Sequence, residues 1–500
     1  RMNSVSTSSF PLIFYKFNRS IHTTKKQFPL VKYMKLNEDF KIEDQRRRIF
    51  SPKPFIALVA PCKINEGISR FLPEEMVQFS EIYSSSKKST CFFIPASGSG
   101  SRMFDFLYDY LENPNDKNFK KALFLFNNIA SFAFFDELSL EIKEKIKNLD
   151  ISIKDLIHYI LEETGKNYGD LPKALFPFHR FNGKNLNPFQ EHILQGRLIS
   201  EDISYHFTIQ KKFKDLLMSF VHDLEQVSKS SLTVNFSEQN ESTDSFVFLE
   251  NGDLVLNALN KPLTRPAGHG SLLENLQTLS SDLIFVKNID NVQHFTKCKN
   301  SNEVWSFLAG LSIEIKSEIH KLTSNPSMEA LSLFNSRFHM FTESEINAIS
   351  SVESILLLLK RPLRICGMVR NEGQNGGGPF FVSKNGIIQK QIIEKAQVDL
   401  AVDQAAIFFE STHFNPVMMV LDIKNEQGEI YDLFAFNDDD QFLKVEKNHA
   451  GKDVVFIELP GLWNGGMSNW NTLFVEIGNE VFSPVKTVLD LINPSHLSMD

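Results

Sequence analysis

Gly98 and Gly100 stand two residues apart in a run of small side chains, residues 96–101, that follows the apolar stretch 91–94 and a stop at Pro95. Arg102 and Met103 then open an apolar rhythm at helical spacing, continued by Phe106, Leu107, Tyr110 and Leu111. A strand, a Gly/Ser loop and a helix start form a cradle for an anion. The glycines let the backbone come close to a ligand, and free N–H groups of the loop and first turn point at phosphate oxygens. Ala96, Ser97, Gly98, Ser99, Gly100 and Ser101 are therefore candidate phosphate contacts, and Arg102 adds a positive charge beside them. A Walker loop is excluded, because it ends in Gly-Lys-Ser/Thr and here Arg102 follows Ser101. The dinucleotide fingerprint is not completed either, since Met103 stands where its third glycine belongs. The bland counterpart is a Gly/Ser-rich turn between core elements.

The elements that must hold this loop follow from periodicity. Alternating strand and helix patterns between residues 91 and 291 predict an α/β fold with a mixed, mainly parallel central sheet flanked by helices. Further strands are expected at 205–209, 232–236 and 282–288, and helices at 190–199, 211–227 and 270–279. Residues 246–256 read as a strand or hairpin turning at Asn251-Gly252. Residues 104–165 read as a helical insertion. Beyond residue 300 the pattern is helix-rich to 360, with breaks near Pro326 and Phe341, and strands are expected at 363–369, 414–424, 454–459 and 472–477. The chain thus divides into an N-terminal extension (1–35), an α/β part (36–300) and a C-terminal helical and β part (301–500) that completes the far side of a cleft.

Composition excludes several roles. The 500 residues are 42% hydrophobic and 23% charged, and the net charge of −8 argues against a nucleic-acid surface. The 46 phenylalanines against 9 tyrosines read as core rather than as a stacking platform. Cys62, Cys91, Cys298 and Cys366 are scattered without a CxxC, which indicates neither a disulfide framework nor a zinc site and fits a reducing compartment, the cytoplasm. No apolar run is long enough to cross a bilayer. Residues 1–35 are basic and Ser/Thr-rich, with no acid before Glu38; this is the composition of a transit peptide or of translation from upstream of Met34, and the stretch is set aside from the fold.

Four segments in order carry a resemblance. The loop PASGSGSRM resembles the glycine loop of sugar nucleotidyltransferases. LPKALFPF (171–178) looks like their PKxLxP stretch, which implies that Lys173 contacts phosphate. RPAGHGSLLENL (265–276) resembles the P-x-G-x-G turn of UDP-sugar and UDP-N-acetylhexosamine pyrophosphorylases, which implies that Gly268, His269 and Gly270 lie against base and ribose. FVKNIDNV (285–292) resembles their metal-binding strand end, which implies Asp290 as a ligand of Mg²⁺. Taken singly, Lys173 reads equally as a solvated loop lysine, His269 as a cap or packing residue and Asp290 as a turn residue. The wider set, with FSEQNESTDSF, GMVRNEGQNGGGPF, STHFNPV and LPGLWNGGMSNWNTLFVEI, is similar to a bacterial family described as a domain of unknown function and related to those enzymes.

The resemblance implies a GT-A-like fold and an enzyme that couples a nucleoside triphosphate to a sugar 1-phosphate with release of pyrophosphate. Gln239 joins the base-reading residues. Asn371, Glu372, Gly376, Gly377, Asn415 and Asn464 become candidates for the sugar or its phosphate, with Trp463 and Trp470 either stacking on sugar or buried in the core. Alternatives on the same fold are a non-catalytic binder of nucleotides or a glycosyltransferase; the latter normally wants Asp-x-Asp, and Asn288 stands at the first place. Asp438–Asp440 reads as a solvated turn. One departure stands out: Lys173 is separated from Arg102 by the helical insertion.

Overall fold

Strands such as Thr90–Pro95 and Leu283–Lys287 are apolar on both faces, and such strands need a layer on each side. The computed structural model describes residues 38–53, 55–374, 376–400, 403–449 and 451–498; the expectation for residues 1–35 lies outside them. The central sheet has ten strands. Its order along the path is Lys63–Ile64, Gly67–Ser69, Asn471–Glu476, Leu363–Arg370, Met418–Asp422, Leu283–Lys287, Thr90–Pro95, Ser204–Thr208 and Val234–Ser237. Every neighbouring pair on that path is parallel except those made by Met418–Asp422. The short strand His413–Phe414 pairs antiparallel with the end of Leu363–Arg370. The fold is the α/β class with a mixed, mainly parallel sheet.

One face of the sheet is covered by helices Pro73–Ser85, Pro188–Arg197, Lys214–Ser228, Lys299–Ser324 and Val352–Leu359, which bury Phe92, Phe285, Ile365 and Val420 around Trp305. The other face carries Phe93, Val286, Cys366 and Met419 under the short helix Leu272–Gln277 and the segment that includes Leu462, Met467 and Trp470. Strands from both sides of residue 300 join this one sheet.

The helices between residues 103 and 161 build a core of their own, in which Phe104, Phe134, Ile160 and Phe176 pack with Val485, Val488 and Leu491 of the C-terminal segment. A hairpin, Gly378–Lys384 with Ile387–Ile393, extends beside the sheet and takes Ala57–Pro61 as its third strand. Ala57–Pro61 thus pairs outside the central sheet. Its neighbour turns through Asn385 and Gly386, both at positive φ.

Because the parallel strands share a direction, their carboxyl ends lie along one edge. In open α/β sheets that edge is where ligands bind. The residues following Pro95, Thr208, Ser237, Lys287 and Arg370 meet there, as does the start of the reversed strand at Met418.

Candidate functional site

The loop after Pro95 leaves the sheet edge and enters a turn of 3₁₀ helix, Ser101–Phe104, which continues into the helix Asp105–Glu112. Ser97, Gly98 and Ser99 donate no backbone hydrogen bond to a protein acceptor among the described residues, whereas Ala96 is tied to the Thr208 carbonyl and Gly100 to that of Leu171. Ser101 N–H is held by the Ser99 hydroxyl. The loop's outer wall is pinned by Gln210, whose amide donates to the Ser97 carbonyl at 2.7 Å. The two glycines differ in kind. A Cβ at Gly98 would meet nothing within 4 Å, so open space lies over it; a Cβ at Gly100 would sit 2.5 Å from the Leu171 carbonyl oxygen. Gly100 permits a close backbone approach, and Gly98 is exposed with open space over it.

That approach explains the interrupted spacing between Arg102 and Lys173. The helical insertion folds away on its own core and returns residues 171–173 to the cradle, with Ser99 and Pro172 bridged. Lys173 Nζ then lies 3.0 Å from Asp290 Oδ2 and 2.8 Å from the Val485 carbonyl. Lys486 Nζ reaches the same carboxylate oxygen at 3.2 Å. Asp290 is 8% exposed. Burial would raise its carboxyl, but the ammonium groups of Lys173 and Lys486 outweigh that and hold it below the ordinary carboxylate value. Arg102 is exposed and forms no side-chain hydrogen bond or ion pair among the described residues. Two ammoniums on one carboxylate, a free guanidinium and a row of free N–H groups give this corner an excess of positive charge suited to phosphate.

Asp290 is also the group that could hold Mg²⁺. Its Oδ1 makes no hydrogen bond among the described residues, while Oδ2 carries both lysines. No group of three metal-ligating side chains occurs among the described residues. The one donor these residues offer an ion is Asp290 Oδ1; Mg²⁺ is commonly held by one or two carboxylates together with substrate phosphates and water.

The glycine turn at Gly268–Gly270 lies on the face of the sheet, against the strand end at Glu458 and the segment after it. Gly268 has φ +74° and would bring a Cβ against the Glu458 carboxylate; Gly270 would run into the Pro460 carbonyl. The His269 ring stacks on Trp463 at 4.2 Å and accepts the Leu462 N–H on Nδ1 at 3.0 Å, so Nε2 carries the proton and faces Glu394 at 3.8 Å. Burial pushes His269 down to about 4 and raises Glu394. The glycines of this turn are thus accounted for by the protein's own packing. Trp463 is half-buried in this stack, and Trp470 is a core residue.

Of the other expected sugar-side residues, Gly377 lies against Glu394. Gly377 would place a Cβ 3.2 Å from Glu394 Cγ, and its carbonyl takes the Asn415 N–H at 2.7 Å. Asn464 is buried and donates to the Ile392 carbonyl at 3.0 Å. Asn371, Glu372 and Gly376 are exposed on the loop that follows Arg370, where the Asn371 side chain accepts from Gly373 N–H. Asn415 shapes the start of the reversed strand. Its Oδ1 accepts the Val417 N–H at 3.0 Å, and Val417 is held at φ +58°, a conformation costly for a β-branched residue. Gln239 lies one residue past Ser237 and its neighbour Glu238, two strands from the cradle, with its side-chain Nε2 buried and unpartnered.

A family model for a domain of unknown function, DUF4301, matches residues 24–497. The chain belongs to this family. No curated protein sequence matches it. Among solved structures it is similar, at 13% identity and TM-score 0.41 over 84% of this chain and 80% of the other, to a candidate UDP-N-acetylglucosamine pyrophosphorylase from Entamoeba histolytica. It is similar at 13% identity and TM-score 0.39, over 88% and 70%, to a UDP-glucose phosphorylase from Trypanosoma brucei. The inositol-1-phosphate CTP transferase from T. maritima matches at 10% identity and TM-score 0.32, over 81% and 93%. No described helix is long and apolar enough to cross a membrane.

Lys486, on Asp290, and Glu394, beside His269 and Gly377, are neighbours of the candidate residues that sequence reading missed. Lys486 follows a proline and a valine in a polar segment, with no motif to single it out. Glu394 ends a hairpin whose Asn-Gly turn at 385–386 was a legible signal.

Proposed function

We propose that this member of the DUF4301 family is a nucleotidyltransferase-like enzyme that couples a nucleoside triphosphate to a sugar 1-phosphate and releases pyrophosphate. The observation that carries the reading is the meeting of three separate segments at one carboxyl edge: the cradle with its free N–H groups, Lys173 and Asp290. Such a reaction is an in-line displacement on the α-phosphorus, in which positioning and charge neutralisation do most of the work. The free N–H groups of Ser97–Ser99 hold nucleotide phosphates. Arg102, exposed and unpaired among the described residues, neutralises charge on the leaving pyrophosphate. Lys173 orients the attacking phosphate, and Lys486 adds a second ammonium from the C-terminal segment. Asp290 holds both lysines in place, and it is the residue that would hold Mg²⁺. That ion, when bound, would draw charge from bridging phosphate oxygens.

The test is pyrophosphate release from a panel of nucleoside triphosphates, each with a panel of sugar 1-phosphates and Mg²⁺. Release by the wild-type chain, lowered by roughly a hundredfold or more in Arg102→Ala and Asp290→Ala, supports the reading. Equilibrium nucleotide binding with no release from any pair would favour a binder on the same fold.

A further inference from the structure

Three buried titratable side chains stand in a row behind the candidate site and have no role in the reaction proposed above: Glu191, His179 and His496. Glu191 Oε1 is 2.7 Å from His179 Nδ1, and His179 Nε2 is 2.9 Å from His496 Nδ1. The nitrogen left on His496, Nε2, faces the Ser483 carbonyl. The row joins the helix Pro188–Arg197, the short strand His179–Phe181 and a turn in the C-terminal segment, Pro494–His496. That segment is the one that closes on Asp290. Ser483 N–H donates to Asn291 Oδ1 and Val485 N–H to the Asp290 carbonyl, both at 3.0 Å. The Val485 carbonyl accepts from Lys173, and Lys486 reaches the Asp290 carboxylate. The carbonyl that His496 faces therefore lies on the same short stretch as both groups that the segment brings to the site.

A carbonyl only accepts, so the contact at Ser483 needs a hydrogen on His496 Nε2. Each of the other two contacts needs one hydrogen between its atoms. Three contacts thus need three hydrogens, and two neutral imidazoles supply two. The third belongs to the pair Glu191 and His179. Glu191 Oε2 already accepts from Gln195 Nε2 at 2.7 Å, so the hydrogen lies on the Oε1 side. Burial pushes Glu191 up to about 7 and both His179 and His496 down to about 3, which puts that hydrogen on the carboxyl and leaves the rings neutral. The other ionisable groups facing the row are Lys287, Cys298, His294 and Asp490. Lys287 favours the ionised carboxylate, and burial outweighs it. His294 is committed elsewhere: Nε2 lies 2.8 Å from the Arg180 carbonyl, and Nδ1 accepts the Thr296 N–H. When Glu191 gives its proton to solvent, two hydrogens remain for three contacts. The carboxylate then takes the hydrogen of His179, His179 takes that of His496, and His496 turns a lone pair toward the Ser483 carbonyl.

We propose that Glu191, acting through His179 and His496, is a positioning residue: while its carboxyl keeps its proton, it holds the C-terminal segment so that Lys486 and the Val485 carbonyl serve the phosphate site. This rests on the reading of the sheet edge as a phosphate site. Loss of the proton breaks the contact at Ser483, and the segment that carries Lys486 loses one of its ties.

The experiment is calorimetric titration of the full chain with inorganic tripolyphosphate at about pH 6 and about pH 8.5, either side of the Glu191 value. Each variant is compared with the wild type at the same pH, which cancels the protonation of the ligand and of the lysines. Glu191→Gln keeps an N–H for His179 and cannot ionise. It should match the wild type at the lower pH and bind ~3- to 10-fold more tightly than the wild type at the higher, the worth of one hydrogen bond. His496→Phe cannot hold the Ser483 carbonyl at either pH. It should bind ~3- to 10-fold more weakly than the wild type at the lower pH and equal it at the higher, and it carries the test if the buried amide prevents folding. Glu191→Gln indistinguishable from the wild type at both pH values would overturn the proposal and leave the phosphate site standing. So would His496→Phe weakened by the same factor at both, since the row would then act as packing alone. Failure of the wild type to bind tripolyphosphate at either pH would remove the phosphate site itself, and this proposal with it.

Discussion

Gly98 and Gly100 are two residues apart, yet alanine at each should produce opposite phenotypes. At Gly98 a methyl group enters open space, and the backbone lies outside the left-handed region, so stability should change by less than about 0.5 kcal/mol. The same methyl group occupies the volume through which a phosphate approaches the N–H groups of Ser97–Ser99. Loss of one preorganised donor at such a place costs roughly a hundredfold to a thousandfold in turnover. At Gly100 the methyl group meets the Leu171 carbonyl at 2.5 Å, a contact made to backbone that cannot rotate away. Either the cradle or the 171–173 segment must shift, at about 1–3 kcal/mol. For a chain of this length that is a fall of roughly 1–3 °C in Tm. The shift also moves Lys173 from Asp290, so activity falls with stability. The assay is thermal unfolding by calorimetry beside pyrophosphate release for both variants. A destabilised but active Gly98→Ala, or a fully stable Gly100→Ala, would refute this division of roles.

Lys173→Ala leaves the buried Asp290 with Lys486 alone, and urea unfolding should report a loss of about 2–4 kcal/mol. Lys486 is largely exposed, so Lys486→Ala should cost under about 1 kcal/mol while weakening triphosphate binding measurably in titration. Asp290 has a depressed carboxyl, so its contribution is complete above the ordinary carboxylate range and is lost only as pH falls below about 4; urea midpoints of wild type and Asp290→Asn should converge there and not above. His179 and His496 are pushed down to about 3 by burial, and the unfolded chain takes up protons that the folded chain refuses. Glu191, 2.7 Å from His179 Nδ1 and pushed up to about 7 by burial, works the other way; two histidines against one carboxyl leave stability falling as pH drops from about 6.5, and His179→Gln should flatten that slope in urea unfolding between pH 7 and 5.

The cradle was legible because its signal is local: an apolar strand, a stop at Pro95, small residues and a helical rhythm all fall within residues 91–111. The parallel sheet was legible from alternation alone, and strands such as Leu283–Lys287 and Ser204–Thr208 fall within a residue or so of their expected bounds. The expected strand 414–424 is in fact two pieces, because Asn415 bends the chain through Val417 at positive φ, and a β-branched residue gives no warning of that. Pairings between distant segments were not legible. Nothing in residues 485–486 says that they close over Asp290. Gly268–Gly270 matched its motif, yet Glu458 and Pro460 fill the space that its missing side chains leave. A glycine chosen for ligand approach and one chosen for packing look alike in sequence.

The account stands on a shared pocket between the cradle and the Lys173–Asp290 pair, and a crystal structure of the chain with a non-hydrolysable nucleoside triphosphate and Mg²⁺ tests it most directly. Phosphate oxygens should lie at about 3 Å from the N–H groups of Ser97–Ser99, with Lys173 on the same phosphates. A triphosphate bound with its phosphates away from that edge, or a cradle left empty at saturating nucleotide, would contradict it.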